Sequence, residues 1–278
     1  MQDKVRVSNI LEMKQKGVKI TSLTAYDFTM AHLMDESGVD IILVGDSCGN
    51  VCAGYETTLP VTMDEMVYHV QCVRRGVKRA LLVADMPFMS YQESVEQALH
   101  NAGRFMKECG AEAVKLEGGE PICPVVEKMV EIGIPVMGHL GFTPQSVHKF
   151  GGFGVRGKET EEAEYIEKSA LALQDAGAFA IVLEKIPAKL AADVTAQLRI
   201  PTIGIGAGKE CDGQVLVSYD MLGLFDQVKY KFVRRYANLA DEIRRATTAF
   251  GNDVRNGNFP DESESYSSSS KLNKICRY

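Results

Sequence analysis

The chain has 278 residues, 45% hydrophobic and 24% charged, which is enough to bury the core of one large domain or two small ones. Its 31 Lys and Arg against 37 Asp and Glu give a net charge of -6, which argues against nucleic acid or anionic membrane as the main partner and favours a small-molecule substrate. With seven cysteines but no CxxC pair, no secretory signal and no run near ~20 apolar residues, we expect a cytoplasmic protein.

Short apolar runs typical of buried β-strands recur along the chain, with amphipathic helical stretches between most of them. They lie at 18–24, 40–45, 80–84, 113–116, 134–138, 179–183 and 200–205, with a weaker run at 215–225. Strands that alternate with helices predict parallel βαβ units, and about eight units in ~250 residues indicate an α/β fold of the (β/α)8 TIM barrel type. A doubly wound open sheet is the alternative.

The two ends of the chain predict features outside the barrel repeat. Residues 7–17 predict a short N-terminal helix that caps the closed end of the barrel, with Ser8 as N-cap and Gly17 as its stop. Residues 230–257 predict the last helix, packed on the outside of the barrel. We expect residues 1–260 to form a single catalytic domain and the Ser-rich residues 261–278 to be a disordered polar tail, because they contain too little apolar surface to order themselves.

Four of the apolar runs end on an acidic side chain, at Asp46, Asp85, Glu117 and Glu184. In a barrel of alternating strands and helices, the carboxyl ends of the strands meet at one rim, where the chemistry is found. Carboxylates gathered there repel each other unless a cation neutralises them, and hard oxygen ligands suit Mg²⁺ or Mn²⁺ better than zinc. The pattern therefore predicts a metal site, although any single acid can instead cap a helix or pair with a surface Lys.

The four acids need not have the same role. Mg²⁺ usually takes only one or two carboxylates and keeps water, so at least one acid is free to act as a base. Glu184 stands alone in an apolar run, where desolvation would raise its proton affinity and suit it to proton abstraction. Asp46 and Asp85 are then the predicted metal ligands.

Lys115 and Ser47 are neighbours of these acids in the sequence. Lys115 lies two residues before Glu117, so both side chains should point into the barrel. Lys115 could be a Schiff-base nucleophile, a fixed cation for a substrate carboxylate, or a structural ion pair with Glu117; nearby carboxylates keep a Lys charged, which favours the fixed cation. Ser47 could donate a hydrogen bond to substrate or cap a helix.

Further candidates follow strands five and seven. His139 is expected at the end of strand five, where it could bind substrate or only stabilise the rim. The Gly-rich segment 142–158 is a candidate lid or binding loop, in which we expect His148 to be exposed. The GIGAG motif at 204–208 resembles a phosphate-binding turn, but such a motif alone is a weak signal.

Taken together, these motifs resemble those of one known family, the ketopantoate hydroxymethyltransferases, over roughly residues 7 to 260. The resemblance is carried by TAYD at 24–27, VGDS at 44–47, TLPVT at 58–62, ADMPF at 84–88, KLEGG at 115–119, GHLGFTPQ at 138–145, LEKIP at 183–187, PTIGIGAG at 201–208 and DGQVLV at 212–217.

The resemblance implies a reaction. It is the transfer of a hydroxymethyl group from 5,10-methylenetetrahydrofolate to 3-methyl-2-oxobutanoate, giving 2-dehydropantoate for pantothenate and coenzyme A biosynthesis. In such a reaction the metal would stabilise the enolate formed when the carbon next to the ketone is deprotonated. The resemblance also implies a homo-oligomer, commonly a decamer.

The family pattern implies a role for each matching residue. Asp46 and Asp85 would bind Mg²⁺, Glu117 would join them directly or through water, and Glu184 would be the proton acceptor. The candidate substrate-binding residues are Asp46, Ser47, Asp85, Lys115 and His139. Nothing in the sequence identifies the residues that bind the folate.

One residue departs from the expected pattern, because Lys185 places a cation directly after the predicted base. Strand alternation should turn Lys185 away from Glu184; if it did not, the pairing would weaken the base. Other functions consistent with the same residues are a metal-dependent lyase or mutase for phosphoenolpyruvate-like or 2-oxo acid substrates, a Schiff-base aldolase, and a catalytically silent scaffold.

Overall fold

Eight parallel strands pair in chain order and close into a barrel, because the last strand also pairs with the first. The structure is a computed structural model that describes residues 3–266. The strands are β1 Ile20–Thr24, β2 Ile41–Val44, β3 Leu81–Asp85, β4 Ala113–Glu117, β5 Val136–Gly141, β6 Ala180–Glu184, β7 Thr202–Ile205 and β8 Gly213–Leu216. This confirms the predicted TIM barrel and excludes the open sheet.

Helices follow most of the strands and surround the barrel. They are α1 Val7–Gln15, α2 Phe28–Glu36, α3 Cys48–Val51, α4 Met63–Gly76, α5 Val95–Cys109, α6 Cys123–Glu131, α7 Val147–Phe150, α8 Thr160–Asp175, α9 Ala188–Gln197, α10 Ser218–Met221 and α11 Leu239–Asn256. Within residues 3–266, none of these helices has the length and apolar character needed to cross a membrane.

Successive strand residues belong to two different cores, because strand side chains alternate between the two faces of a sheet. One core fills the barrel and includes Ile20, Ile41, Leu43, Leu81, Val83, Ala113, Met137, Val182, Ile203 and Val215. The other core lies between barrel and helices and includes Ile42, Val44, Leu82, Val114, Leu116, Leu140, Ile181 and Leu183. In β4, Lys115 and Glu117 alternate with Val114 and Leu116, so both point into the barrel as predicted.

Helix α1 covers the amino-terminal end of the barrel, as the sequence predicted. Ile10 of this helix is fully buried in the core that fills the barrel. The predicted N-cap is wrong, because the N-cap residue is Arg6, two residues before Ser8. The Asn9 side chain accepts a hydrogen bond from the Arg6 backbone N–H at 2.9 Å. Gly17 follows the helix end with φ of 67°, which confirms it as the stop.

Two predicted strand boundaries differ from the structure. β5 extends to Gly141, so His139 lies inside the strand instead of at its end; the backbone continues to pair with β6 because this pairing does not depend on side-chain polarity. The eighth strand begins at Gly213 and ends at Leu216, where the chain turns into α10. The weak run at 215–225 therefore combined the end of a strand with a short helix.

The carboxyl-terminal predictions also need correction. The last helix begins at Leu239 instead of residue 230, because residues 224–238 form turns next to the barrel. We predicted that this helix packs on the outside of the barrel, and this is wrong for the single chain: Ala240 is the only buried residue of the helix, and Phe250 is 55% exposed. Of the predicted tail, residues 261–266 form exposed turns, and residues 267–278 lie outside the described part of the chain.

At Gly141, the backbone of β5 lies close to the backbone of the predicted base, Glu184, and a substitution can test this close approach. A Cβ at Gly141 would lie 2.3 Å from the Glu184 backbone oxygen, and φ is 90°. Gly133 is a matched control, with φ of 92° and nothing within 4 Å of the added Cβ. We expect Gly133→Ala to cost about 1–3 kcal/mol of backbone strain, and Gly141→Ala to cost about 1–3 kcal/mol more because the strands must separate.

The measurement is chemical denaturation of both variants beside wild type. Equal losses of stability would contradict the close approach of β5 and β6 at Glu184.

Candidate active site

The strand register brings the predicted acids together at the carboxyl-terminal rim of the barrel. Asp85 pairs with Lys115 across β3 and β4, and Glu117 pairs with His139 across β4 and β5. Asp46 lies two residues beyond the end of β2, and Glu184 ends β6. All of these side chains line one cavity, together with Ser47. The structure therefore confirms that the sequence-predicted candidates converge in space.

Asp46 and Asp85 form the most deeply buried acidic pair of this cavity. Asp46 is 3% exposed and Asp85 is 2% exposed. The backbone N–H of Asp46 lies 3.4 Å from Asp85 Oδ2. Burial and the charge of Glu117 raise the pKa of Asp46 to about 6. Burial also raises the pKa of Asp85, with Asp46 and Glu117 adding to the effect and Lys115 opposing it. The pair thus holds negative charge where burial disfavours it.

Lys115 supplies the positive charge at the centre of this group. Its Nζ lies 2.7 Å from Asp85 Oδ1, 3.9 Å from Glu117 Oε1 and 3.3 Å from His139 Nδ1. Burial alone would lower the pKa of Lys115, but the nearby carboxylates, Asp85 first, raise it above its ordinary value. Lys115 is therefore a buried ammonium ion, and its closest carboxylate is Asp85 instead of the predicted Glu117.

His139 connects this charged group to the predicted base. Its Nε2 lies 3.3 Å from Glu184 Oε2, and its Nδ1 faces both Lys115 Nζ and Glu117 Oε1. Burial and the charge of Lys115 lower the pKa of His139, so the ring is neutral near pH 7. An ammonium group can only donate, so the ring proton belongs on Nε2, facing Glu184.

Gln145 is a central residue of the site that the sequence analysis did not single out. Its side-chain Nε2 donates to Asp46 Oδ2 at 3.0 Å and to the Met86 carbonyl at 2.9 Å. Its backbone N–H donates to Glu117 Oε2 at 2.9 Å. Its Oε1 accepts from the Tyr91 hydroxyl at 2.8 Å. The GHLGFTPQ motif contained this residue, but a neutral amide in a loop carries no charge signal to mark it.

Ser47 lies beside the acids with its hydroxyl in the cavity. Its Oγ is 2.9 Å from the Tyr26 hydroxyl. Ser47 occupies the N-cap position of α3, but its side chain makes no capping hydrogen bond there. The hydroxyl therefore has a partner outside the helix, and it faces the cavity that the acids line.

Lys185 turns away from the predicted base, which confirms the sequence prediction. Its backbone has φ of 46°, and its Nζ donates to the Phe153 carbonyl. The same ammonium group lies 4.7 Å from the centre of the Phe142 ring. No ion pair between Lys185 and Glu184 occurs within residues 3–266. Lys185 instead attaches the loop after β5 to the rim, and His148 in that loop is exposed as predicted.

The glycines of the GIGAG motif are needed for packing. A Cβ at Gly204 would lie 3.0 Å from Cys211 Sγ, one at Gly206 3.1 Å from Phe232 Cγ, and one at Gly208 2.6 Å from Ala188 Cβ. Protein atoms thus already fill the space next to each glycine. These contacts explain the motif without a bound phosphate.

The donor atoms at the rim fit a divalent cation held by two carboxylates. Within the described residues, no three His, Cys, Asp or Glu side chains are arranged as a complete metal cage. Asp46 and Asp85 offer hard oxygen atoms side by side, and Mg²⁺ needs only one or two carboxylates, with water and substrate completing its shell. The buried Glu117 Oε1 has no hydrogen-bond partner in the same part of the chain. The oxygen donors therefore suit Mg²⁺ or Mn²⁺.

The outer part of the cavity is apolar. It is formed by rings from the loop after β5 and from the segment after α10: Phe142, Phe153, Phe225, Tyr230 and Phe232. Asp220 of α10 also lines it. Phe142 and Phe153 belong to the Gly-rich segment 142–158, which was predicted to be a lid or binding loop. The other residues were not predicted, because no strand end or charged motif marks them and because residues 230–238 were assigned to a helix.

The fold resembles those of solved structures with low sequence identity. A phosphonopyruvate hydrolase in complex with oxalate and Mg²⁺ matches with a TM-score of 0.61 and 11% identity, over 95% of this chain and 92% of that chain. A 2,3-dimethylmalate lyase of the PEP mutase/isocitrate lyase superfamily matches with a TM-score of 0.59 and 13% identity, over 95% and 90%. At such identities, the resemblance shows only the fold.

Curated relatives are much closer in sequence. A 3-methyl-2-oxobutanoate hydroxymethyltransferase of Salinibacter ruber is 57% identical over 263 residues, covering 95% of this chain and 99% of the relative. The protein of the same name from Chlorobaculum tepidum is 56% identical over 266 residues, covering 94% and 96%. A family profile described as ketopantoate hydroxymethyltransferase matches residues 4–262. This chain therefore belongs to the ketopantoate hydroxymethyltransferase family.

Proposed function

We propose that this transferase adds a hydroxymethyl group to C3 of 3-methyl-2-oxobutanoate to form 2-dehydropantoate, with a bound Mg²⁺ ion and with Glu184 as the base. One observation carries the proposal: the buried Lys115 ammonium group and the Asp46–Asp85 pair line the same cavity as a second carboxylate, Glu184, which lies next to the neutral His139. Lys115 and the two aspartates suit an anionic 2-oxo acid and its metal, whereas Glu184 suits proton abstraction.

The polar end of the cavity would bind the 2-oxo acid. Asp46 and Asp85 would hold the cation, with Glu117 as an additional ligand directly or through water. When bound, the ion would withdraw electrons from the substrate ketone and stabilise negative charge on its oxygen. Lys115 would orient the substrate carboxylate through its fixed charge, and the Ser47 hydroxyl would donate a hydrogen bond.

Glu184 would take the proton from C3 of the substrate. His139 Nε2 lies 3.3 Å from Glu184 Oε2 but forms no aligned hydrogen bond within residues 3–266, so a small rotation of either side chain would let it hold the carboxylate in place. Val182 and Ile205 line the cavity next to it and would keep water from the reacting carbon. Water would release the one-carbon unit from the folate as formaldehyde, which leaves tetrahydrofolate. The C3 carbanion would then add to the formaldehyde carbon: the electron pair of the broken C3–H bond would form the new carbon–carbon bond, and the formaldehyde oxygen would take up a proton to become the new hydroxyl group.

Four further parts of the proposal rest on sequence arguments. The one-carbon donor would be 5,10-methylenetetrahydrofolate, and the chain would assemble into a homo-oligomer, probably a decamer in the family pattern. Residues 1–260 would form the single catalytic domain. The absence of any CxxC pair among the seven cysteines supports a cytoplasmic location.

Deuterium exchange at C3 tests enolisation without any folate. In D₂O with Mg²⁺, we expect wild type to exchange the C3 proton of 3-methyl-2-oxobutanoate, and EDTA to suppress this exchange. Glu184→Gln should lower the rate by about 10²–10⁴-fold, because the amide cannot accept the proton. Glu164→Gln, the same change on the exposed face of α8, is the matched control. The measurement is proton NMR over time.

Absence of exchange by metal-loaded wild type, with or without tetrahydrofolate, would contradict the proposal. That result would favour a metal-dependent lyase or mutase. Metal-dependent exchange that survives in Glu184→Gln would instead contradict only the role of Glu184.

Borohydride trapping distinguishes a fixed charge at Lys115 from a Schiff base. Because the surrounding carboxylates keep Lys115 protonated, we expect no covalent adduct when wild type is treated with 3-methyl-2-oxobutanoate and borohydride. Intact-mass spectrometry makes the measurement, with a Schiff-base aldolase treated in parallel as positive control. A mass increase that disappears in Lys115→Met would support the aldolase alternative.

Gln145 should matter for metal binding because its side-chain amide orients Asp46. Gln145→Met keeps the side-chain length but removes both polar atoms, and we expect about 10- to 100-fold weaker Mn²⁺ binding. Gln92→Ala is the control: Gln92 Nε2 also donates to Gln145 Oε1, at 3.1 Å, but is part of an exposed residue. Calorimetric titration with Mn²⁺ measures the affinity. Equal affinities in both variants would show that Gln145 does not position the ligands.

A further inference from the structure

The outer cavity is lined by two pairs of rings, which we call the aromatic wall: Phe142 with Phe153 from the loop after β5, and Tyr230 with Phe232 from the segment after α10. Tyr230 and Phe232 are stacked, with centroids 5.5 Å apart and an angle of 22° between the rings. Phe142 and Phe153 have centroids 5.6 Å apart. All four line the cavity that contains Glu184. Such flat apolar surfaces suit an aromatic ligand.

The position of Phe232 depends on the GIGAG turn. A Cβ at Gly206 would come within 3.1 Å of the Phe232 ring, so the ring packs directly on the backbone after β7. A ring held this closely is preorganised before a ligand arrives, which lowers the entropy cost of binding. The glycine that looked like a phosphate turn in the sequence therefore shapes the aromatic wall.

Asp220 is an acid in this apolar region with no role in the reaction described above. It is 7% exposed and lines the same cavity. Its Oδ1 has no hydrogen-bond partner within residues 3–266. Burial raises the pKa of Asp220 to about 6, although the charge of Arg235 acts in the opposite direction. A buried carboxylate oxygen without a partner is costly, so a ligand that supplies the missing donors would relieve the cost.

A structural ion pair is the simplest alternative role for Asp220. Arg235 is the only cation that acts on its pKa, but Arg235 Nη2 is directed to the Val228 carbonyl oxygen, 3.5 Å away. No ion pair between Arg235 and Asp220 is formed in the described part of the chain. The carboxylate is therefore free to accept hydrogen bonds from a molecule in the cavity.

Tyr230 lines the cavity together with Asp220 and the predicted base. Burial, then the charge of Asp220, then that of Glu184, raise the pKa of Tyr230, so the charges of both acids act on its hydroxyl. We expect a bicyclic molecule resting on Tyr230 to reach from Asp220 toward Glu184. The end near Glu184 is where the carbon–carbon bond would form.

We propose that Asp220 binds the pterin ring of the folate co-substrate, accepting hydrogen bonds from its N3–H and its 2-amino group, while Tyr230, which packs against Phe232, stacks on the ring. This inference rests on the proposed function. N3–H and the 2-amino group are adjacent parallel donors that match the two oxygens of a carboxylate. N5, which carries the one-carbon unit, belongs to the other ring of the bicycle and would face Glu184 and the substrate.

Direct binding of tetrahydrofolate tests the assignment. Asp220→Asn replaces one acceptor oxygen with a donor, so we expect tetrahydrofolate to bind about 10- to 100-fold more weakly than to wild type. Asp253→Asn, the same change at an exposed position of α11, should bind as wild type does. Anaerobic calorimetry with Mg²⁺ present measures both affinities. Folate-independent C3 exchange in Asp220→Asn should remain within about two-fold of wild type, which also shows that the variant is folded.

A ligand analogue makes the test specific for the pterin edge. The 2-desamino-2-methyl analogue of tetrahydrofolate lacks one of the two donors, so wild type should bind it about 10-fold more weakly than tetrahydrofolate. In Asp220→Asn the two ligands should differ by less than about three-fold, because the partner of the amino group is already lost. Tyr230→Leu should weaken tetrahydrofolate binding about 10-fold, and Tyr230→Phe should restore it.

The failure of this inference is distinguishable from failure of the proposed function. If wild type exchanges C3 and binds tetrahydrofolate but Asp220→Asn binds it equally well, the pterin assignment is overturned and the function stands. The same conclusion follows if the analogue loses equal affinity in both proteins. If wild type neither exchanges C3 nor binds tetrahydrofolate, both proposals are overturned.

Discussion

The site depends on a single buried ammonium group. Lys115 is the positive charge around which Asp85, Glu117 and Asp46 gather, and its Nζ lies 2.7 Å from Asp85 Oδ1. Three carboxylates around one cation leave the group short of positive charge, and burial keeps water from screening the imbalance. A divalent cation would offset this excess of negative charge. Burial and the charge of Lys115 keep His139 neutral, and its Nε2 lies 3.3 Å from Glu184 Oε2.

The backbone of the barrel brings these charges together. Parallel register places Asp85 next to Lys115 and Glu117 next to His139, without any loop having to carry them. Where β5 meets β6, Gly141 removes the Cβ that would otherwise strike the Glu184 carbonyl. The loop after β5 then returns Gln145 over the rim, where its side-chain amide donates to Asp46 and its backbone N–H donates to Glu117. Rigid strands thus supply the charges, and a loop holds their orientation.

The cavity has two chemically different ends. Its inner end is charged and suits the small anionic substrate, whereas its outer end is apolar and has one unpaired acid, Asp220. Tyr230 lines the same cavity as Asp220 and Glu184, and the charges of both acids raise the pKa of its hydroxyl after burial has done so. A reaction between a small 2-oxo acid and a large aromatic co-substrate needs such a division, because each reactant must be recognised by a surface of its own polarity.

Much of the fold and the charged centre were predictable from local sequence. Apolar runs ending in acids indicated both the strands and the rim, because a residue at a strand end is fixed by the strand period alone. That argument correctly brought Asp46, Asp85, Glu117 and Glu184 to one cavity. Element boundaries were wrong in two places. A strand was expected to end at the polar His139, but backbone pairing continues to Gly141, and the turns before α11 were assigned to the helix.

By itself, the sequence determined the barrel class, the acids at its rim and the family resemblance, since these depend on periodicity and on motifs that are continuous in the chain. Only the tertiary structure decided which partners these residues have. It paired Lys115 with Asp85 and brought Gln145 to Asp46 across 99 positions of sequence. It also placed Asp220 and Tyr230 in the cavity of Glu184. Such contacts arise from strand register and loop return, and neither is encoded in any short segment.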